Sequence, residues 1–191
     1  MDSTVYRARF GSLRHAYELI SHPPPSPYSD SREDENLRRV RSFFKHDVLA
    51  ALEAQGATVT ETSLPVFRIN GQLNLRLAIA AATRARNGSL RWRIRVRSPL
   101  KHDVTLAARI DASNCKILDY YLLPNLALKR VVVSLGEASR FNLFRITSLE
   151  PLIKLCSLKQ RGKRCPETIQ EFAAFIAGAC QGMNPTGIAS R

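Results

Sequence analysis

The sequence predicts an α/β or α+β fold in which helices pack on a mostly antiparallel sheet of about four strands. Apolar residues at helical spacing between 33 and 55 indicate a long amphipathic helix. Large apolar residues alternate with polar or small ones at 73–80 and with arginines at 90–97, and this period of two indicates two β-strands. The chain has 191 residues, of which 45% are hydrophobic, so it is long enough to bury the core of one domain.

The first 158 residues are expected to divide into three parts. Residues 1–22 are expected to form a short helical unit, and the proline-rich stretch 23–32 a stiff linker. A domain at 33–158 then opens with a helix from about Glu33 to Gln55, which ends at Gly56. Its inward residues are Leu37, Val40, Phe44, Val48 and Leu52.

The next element is a basic hairpin at the centre of the sheet. Arg91, Arg93, Arg95 and Arg97 alternate with Trp92, Ile94 and Val96, and successive strand residues point to opposite faces. Asn87-Gly88 is a strong hairpin signal and predicts a two-residue loop. That loop would pair Thr83 with Trp92, Ala81 with Ile94, Ile79 with Val96 and Ala82 with Arg93, and the apolar face would pack on the helix at 33–55.

The remaining elements close the domain. Strands are predicted at 103–111 and 116–123, whereas 131–134 and 140–146 are strands or connections. Residues 159–191 should comprise a basic loop to Arg164, a helix that starts at Pro166 and runs to about Gln181, and a frayed tail from Gly182.

The charge points to a polyanionic partner. The net charge is +13, and residues 61–110 contain ten Lys and Arg but only two acidic residues. Nucleic acid or an acidic membrane surface could neutralise such a patch. No apolar run is long enough to span a bilayer, and DNA, with duplex favoured, is the expected partner. The candidate DNA-binding residues are Arg38, Arg41, Lys45, Arg76, Arg84, Arg86, Arg91, Arg93, Arg95, Arg97, Arg161, Lys163 and Arg164. The alternative is that these are solvated surface charges.

The sequence predicts no catalytic residue, metal site or cofactor. The four cysteines lack metal-ligand spacing, no glycine-rich phosphate loop is present, and residues 72–86 contain neither an acid nor a lysine. A metal-dependent nuclease with a rearranged site around Asp103 and Asp119 is the alternative. A catalytically empty relative of the restriction-endonuclease core is a further architecture that fits.

Two stretches carry a family resemblance. They are Tyr6-Arg-Ala-Arg-Phe-Gly-Ser-Leu-Arg-His-Ala-Tyr-Glu-Leu-Ile20, and the segments Phe67-Arg-Ile-Asn-Gly71, Leu90-Arg-Trp-Arg-Ile-Arg95, Asp103-Val-Thr-Leu-Ala-Ala-Arg-Ile-Asp111 and Leu118-Asp-Tyr-Tyr-Leu-Leu-Pro124. Over residues 5–157 the chain resembles the C-terminal portion of large serine recombinases of bacteria and their mobile elements. The domain that supplies the nucleophilic serine in that family has no counterpart here.

The resemblance implies a DNA-binding role in recombination without strand-transfer chemistry. It also implies a serine recombinase as a further partner. A cytoplasmic location is expected because the four scattered cysteines are typical of a reduced protein and the N-terminus lacks the apolar core of a secretory signal, and DNA binding would place the protein at the nucleoid. A third hypothesis is that the protein is an interaction module, which docks either on a recombinase or on an acidic partner.

Overall fold

The computed structural model describes Arg9, Leu19 and residues 31–63, 65–95, 101–125, 132–135, 139–160 and 165–181. The side chains of 31–34, 95, 140, 159, 160 and 181 are not among those described. Several predicted features therefore lie outside the description: the unit at 1–22 apart from the helical Arg9 and Leu19, the linker up to residue 30, Val96, Arg97, the loop 161–164 and the tail.

The described residues form an α+β fold, as the sequence predicts. Its helices are α1 (Ser31–Ala54), α2 (Glu150–Gln160) and α3 (Ile169–Gln181), with a 3-10 helix at Arg140–Phe144. Its strands are β1 (Val59–Ser63), β2 (Val66–Ile69), β3 (Leu73–Ala80), β4 (Ala82–Arg84), β5 (Leu90–Arg95), β6 (Val104–Ile110), β7 (Ile117–Pro124), β8 (Val132–Leu135) and β9 (Arg145–Ile146).

The strands form two sheets rather than the single four-stranded sheet expected. The larger sheet has the order β1-β2-β3-β6-β7-β9, and the smaller one has the order β4-β5-β8. All pairs are antiparallel except β3 and β6, which run parallel. Strands β1 and β2 were not predicted, because their short segments lack a long alternating pattern.

Helix α1 forms where its apolar spacing predicts. Val40, Phe44, Val48 and Leu52 are buried, and Leu37 is half-buried. The last helical residue is Ala54, and Gly56 terminates the helix with a φ of +76°, which suits glycine. The Ala57 amide donates to the carbonyl of Leu52 at 3.1 Å. Phe44 stacks on Tyr120 of β7, with ring centres 5.9 Å apart, so α1 covers the face of the large sheet to which Tyr120 points.

The predicted hairpin register is wrong by one residue. Trp92 pairs with Ala82, not with Thr83. The Gly88 amide donates to the Ala85 carbonyl at 2.9 Å, and Gly88 has a φ of +81°. The loop therefore has three residues, a turn followed by a left-handed glycine, and this extra residue shifts the register.

The hairpin is also shorter than predicted. Strand β3 ends at Ala80 and pairs with β2 and β6, so the expected pairs of Ile79 and Ala81 with β5 do not form. The neighbour of Trp92 and Ile94 on the other side is β8, through Leu135 and Val133. Only β4, three residues long, remains as the first arm of the hairpin.

The C-terminal helices complete the core. Helix α2 was not predicted, and its Leu152, Leu155 and Cys156 are buried. Helix α3 begins at Ile169, not at Pro166, because Thr168 and Glu171 form a reciprocal cap. The Glu171 amide donates to Thr168 Oγ1 at 3.1 Å, and Glu171 Oε2 accepts from the Thr168 amide at 3.3 Å.

Candidate nucleic-acid interface

Four cationic side chains from three separate segments meet at one open cleft. Arg41 and Lys45 come from α1, Arg76 comes from β3 and Arg93 comes from β5. The cleft has a volume of about 560 Å³, and none of its described lining residues is acidic. We call it the basic cleft. Its other lining residues are Phe44, Pro65, Phe67, Leu77, Ala78, Ile79 and Ile94.

The cleft lies at one edge of β3, just beyond the end of β2. The last register pair of these strands joins Val66 to Arg76, and the Leu77 amide donates to the Pro65 carbonyl at 3.0 Å. Beyond this point no described strand pairs with β3 on that side. Ala78 and Ile79 point to opposite faces of β3, yet both line the cleft, so the cleft wraps around the strand edge.

The helix side of the cleft is ordered by two contacts of Lys45. Arg41 and Lys45 are four residues apart, so they lie one turn apart on the same face of α1. Lys45 Nζ lies 2.9 Å from Glu61 Oε2 and 5.1 Å from the centre of the Phe67 ring. Glu61 therefore offsets part of the Lys45 charge, whereas Arg41 is exposed.

Arg76 is a partly enclosed cation of the cleft. It projects from the middle of β3 and, like Lys45, is half-buried, whereas Arg41 and Arg93 are exposed. Burial lowers the pKa of the Arg76 guanidinium from its usual value, although an arginine stays charged at neutral pH. An anion that reached Arg76 would meet a charge that is only partly solvated, and such charges attract more strongly than fully hydrated ones.

Strand β5 presents arginines to solvent as predicted, up to the last side chain described. Arg91 and Arg93 are exposed, whereas Trp92 and Ile94 are buried. Arg91 lies opposite Thr83 of β4 and Arg93 lies opposite Ser134 of β8, so the predicted pair of Ala82 with Arg93 does not form. The Arg95 side chain and Arg97 lie outside the described residues, so the strip that the structure shows has two arginines.

The other predicted residues are scattered. Arg84 donates to the carbonyl of Gly88 at 3.1 Å and so holds its own turn, and Arg86 is exposed on that turn. Arg38 is exposed on α1, one turn before the cleft residues. Arg161, Lys163 and Arg164 lie outside the described residues.

The apolar part of the cleft was not predicted from the sequence. Pro65, Ala78 and Ile79 are half-buried there, and Leu77 and Ile94 are buried behind them. The one available signal was Pro65, because a proline cannot donate to the next strand and so favours the end of a ladder.

The two carboxylates of the nuclease hypothesis lie far apart. Asp119 pairs with Arg109 near the C-terminal end of β6, whereas Asp103 precedes its first residue. Asp103 and Arg109 are six residue steps apart along the strand, a distance of about 20 Å. Asp103 Oδ2 accepts from the Asn74 amide at 2.8 Å, and Asp119 is buried between two arginines. Within the described residues, no three His, Cys, Asp or Glu side chains come together as a metal site would require.

The chain matches no protein-family model, no curated protein and no solved structure. The resemblance to serine recombinases and the likeness to a restriction-endonuclease core both stay predictions. None of the described helices combines the length and the apolar run that crossing a bilayer requires.

Proposed function

We propose that this protein binds DNA through the phosphate backbone, using the basic cleft and the exposed arginines of β5. The observation that supports this most is the meeting of Arg41, Arg76 and Arg93 at one cleft whose described lining contains no acidic residue. Like charges that converge in this way repel one another, and an anionic ligand relieves that repulsion.

Phosphate is the anion that best suits this arrangement. Guanidinium groups bind phosphate oxygens with paired N–H donors, and they do so independently of base sequence. Arg91 lies two residues from Arg93 on the same strand face, about 7 Å away, so it extends the cationic surface out of the cleft along β5. Duplex DNA would lie along this surface.

The test is the salt dependence of binding by the double variant Arg41→Gln/Arg93→Gln. Each phosphate contact that is lost should reduce the slope of log affinity against log salt by about 0.9, so we expect a reduction of about 2. The loss should be similar for DNA of any sequence, because backbone contacts do not read bases.

The matched control is Arg39→Gln/Lys154→Gln, which removes the same charge elsewhere. Arg39 pairs with Glu35 and Lys154 pairs with Glu150, in both cases at 3.6 Å. The control should bind nearly as the parent protein does. Equal slopes in all three proteins, or no DNA binding by the parent protein at low salt, would overturn the proposal.

A role in recombination is a finer proposal that rests on the resemblance of residues 5–157 alone. A serine recombinase would then be a protein partner, and the cytoplasmic nucleoid the place of action. Adding the purified protein to a serine-recombinase reaction should change the yield of recombinants, and the Arg41→Gln/Arg93→Gln variant should not. We do not extend the proposal to DNA cleavage, because Asp103 and Asp119 do not share a site.

A further inference from the structure

We infer that the basic cleft holds one unpaired nucleotide of a DNA strand, with its phosphate on the arginines and its base on the edge of β3. This inference rests on the proposed DNA binding and names the element of DNA that this site selects. It follows from the shape of the cleft, from its apolar lining and from the backbone groups at the strand edge.

The cleft is larger and more apolar than a phosphate site needs. A volume of about 560 Å³ is within the usual range for sites that enclose small organic molecules. Seven of the eleven lining residues that the structure describes are apolar, and Ala78 and Ile79 are half-buried and so can still be covered by a ligand. A duplex backbone alone would leave this apolar part of the cleft unfilled, because its phosphates and sugars lie on a convex surface.

The edge of β3 also offers hydrogen-bonding groups to a base. The Leu77 amide is directed to β2, where it donates to Pro65. Alternate residues of a strand direct their N–H and C=O groups to the same side, so those of Ile79 point the same way, past the end of β2. One donor and one acceptor lie side by side there without a partner strand among the described residues, and they match the paired donor and acceptor on the edge of a base.

An acidic peptide fits this site less well. Adding a peptide strand to a sheet edge depends on a row of main-chain hydrogen bonds. The part of β3 beyond its last contact with β2 is only Ala78–Ala80, and within it only Ile79 directs its backbone groups to that side. A nucleotide needs only that one pair of groups, and it supplies both the anion for Arg76 and Arg93 and a planar apolar face for Ile79.

The experiment compares four ligands with the parent protein in fluorescence anisotropy. They are a fully paired duplex, the same duplex with one bulged adenosine, the same bulge without its base, and the free nucleoside monophosphate. The bulged adenosine should be bound about tenfold more tightly than the paired duplex, a gain in the lower part of the range for stacking one base on an aromatic side chain. The abasic bulge keeps the phosphate and the flexibility, and it should bind like the paired duplex.

A variant then locates the base. Ala78→Leu fills the cleft without changing its charge, and it should remove the advantage of the bulged adenosine while duplex binding persists. The control is Ala50→Leu, on the exposed side of α1. If Ala78→Leu does not fold, the base is located instead by placing 2-aminopurine in the bulge of the DNA. The fluorescence of the 2-aminopurine should change when the parent protein binds, and this change should be smaller with Arg76→Lys.

Each other outcome overturns the inference. Equal affinity for all three duplexes would leave backbone binding standing but show that no base is held. An abasic bulge that binds as tightly as the adenosine would assign the preference to flexibility. If the free monophosphate displaced the bulged DNA at a concentration equal to that of the DNA, the ligand would be a free nucleotide. Tighter binding of a glutamate-rich peptide, lost in Ala78→Leu, would make the ligand a protein. No binding to any DNA would overturn the proposed function itself.

Discussion

The guanidinium of Arg109 lies 4.8 Å from the centre of the Trp92 ring, and its Nε donates to Asp119 at 2.9 Å. Trp92 belongs to the small sheet, whereas Arg109 and Asp119 belong to paired strands of the large one. Arg145 of β9 donates to the same carboxylate at 2.9 Å. This cluster joins β5 to the large sheet, so it fixes the strand that presents Arg93 to the basic cleft.

Asp119→Asn should lower the free energy of unfolding by about 3–5 kcal/mol, the usual result when one partner of a buried ion pair is removed. Asp119 is 2% exposed, and its replacement would leave Arg109 buried without a counter-charge. Urea denaturation measures the change. Glu150→Gln is the control, because its pair with Lys154 is exposed and is worth about 1 kcal/mol or less. A loss no larger than that of the control would contradict this account of the cluster.

Trp92→Ala should destabilise the protein by about 3–5 kcal/mol, because it empties a large aromatic site. Trp92 is 7% exposed, as the sequence predicts for a core residue. Its Nε1 donates to the Ile110 carbonyl at 2.7 Å, so its indole is held by β6. Trp92 shares one core cluster with Phe44 and Val48 of α1, and the expected packing of its ring on that helix stays a prediction.

Trp92→Phe separates the indole hydrogen bond from the packing of the ring. It should cost about 1–3 kcal/mol, because the Ile110 carbonyl loses its donor while an aromatic ring remains. Thermal and urea unfolding of both variants measure these effects. An unchanged stability together with weakened DNA binding would instead make Trp92 a residue that stacks on DNA.

Long regular patterns made α1, β3, β6 and β7 predictable from the sequence. Helix α1 has five inward apolar residues at helical spacing, and β3 alternates between buried and half-buried residues from Leu73 to Ala78. The register of the hairpin was not predictable from Asn87-Gly88 alone, because only Gly88 adopts a left-handed φ. The same dipeptide at Asn70-Gly71 does have positive φ at both residues, 51° and 66°, and it forms the tight turn between β2 and β3.

The basic cleft was predictable in its residues but not in its assembly. Arg41, Lys45, Arg76 and Arg93 all follow from charge and alternation in the sequence. Their convergence depends on the parallel pairing of β3 with β6. It also depends on the start of β2 at Val66, because the residues of β3 beyond Arg76 then have no partner in β2. These are long-range contacts that no local pattern specifies, and the early end of β3 turned the predicted long hairpin into a separate sheet.

Thr168→Ala should destabilise the protein by about 1 kcal/mol, the usual cost of removing a helix N-cap. Thr168 Oγ1 accepts the amide of Glu171 at 3.1 Å, and this amide would otherwise lack a partner in the first turn of α3. Helix α3 supplies Phe172 and Ile176 to the core, so its fraying would be detected in global unfolding. Thr147→Ala, an exposed position outside the helices, is the control. Equal unfolding curves for the two variants would show that the cap contributes nothing.

The buried thiol of Cys156 should lower the free energy of unfolding of the protein at alkaline pH. Burial raises the pKa of Cys156 from 9.0 to about 12, because the thiolate would lie in an apolar site. The unfolded chain therefore releases this proton near pH 9, whereas the folded protein keeps it up to about pH 12. Between these values the unfolded state binds fewer protons, so the stability falls as the pH rises, by up to about 1.4 kcal/mol per pH unit.

The measurement is the difference in unfolding free energy between the parent protein and Cys156→Ala, taken at intervals between pH 8 and pH 12. The parent protein should lose stability relative to the variant as the pH rises above 9. The pKa values of Tyr120 and Tyr121 are also raised by burial, but both proteins contain these tyrosines, so their effect cancels in the difference. Cys115→Ala removes an exposed thiol and should follow the parent protein. A constant difference between the parent protein and Cys156→Ala would show that Cys156 ionises in the folded protein as readily as in the unfolded chain.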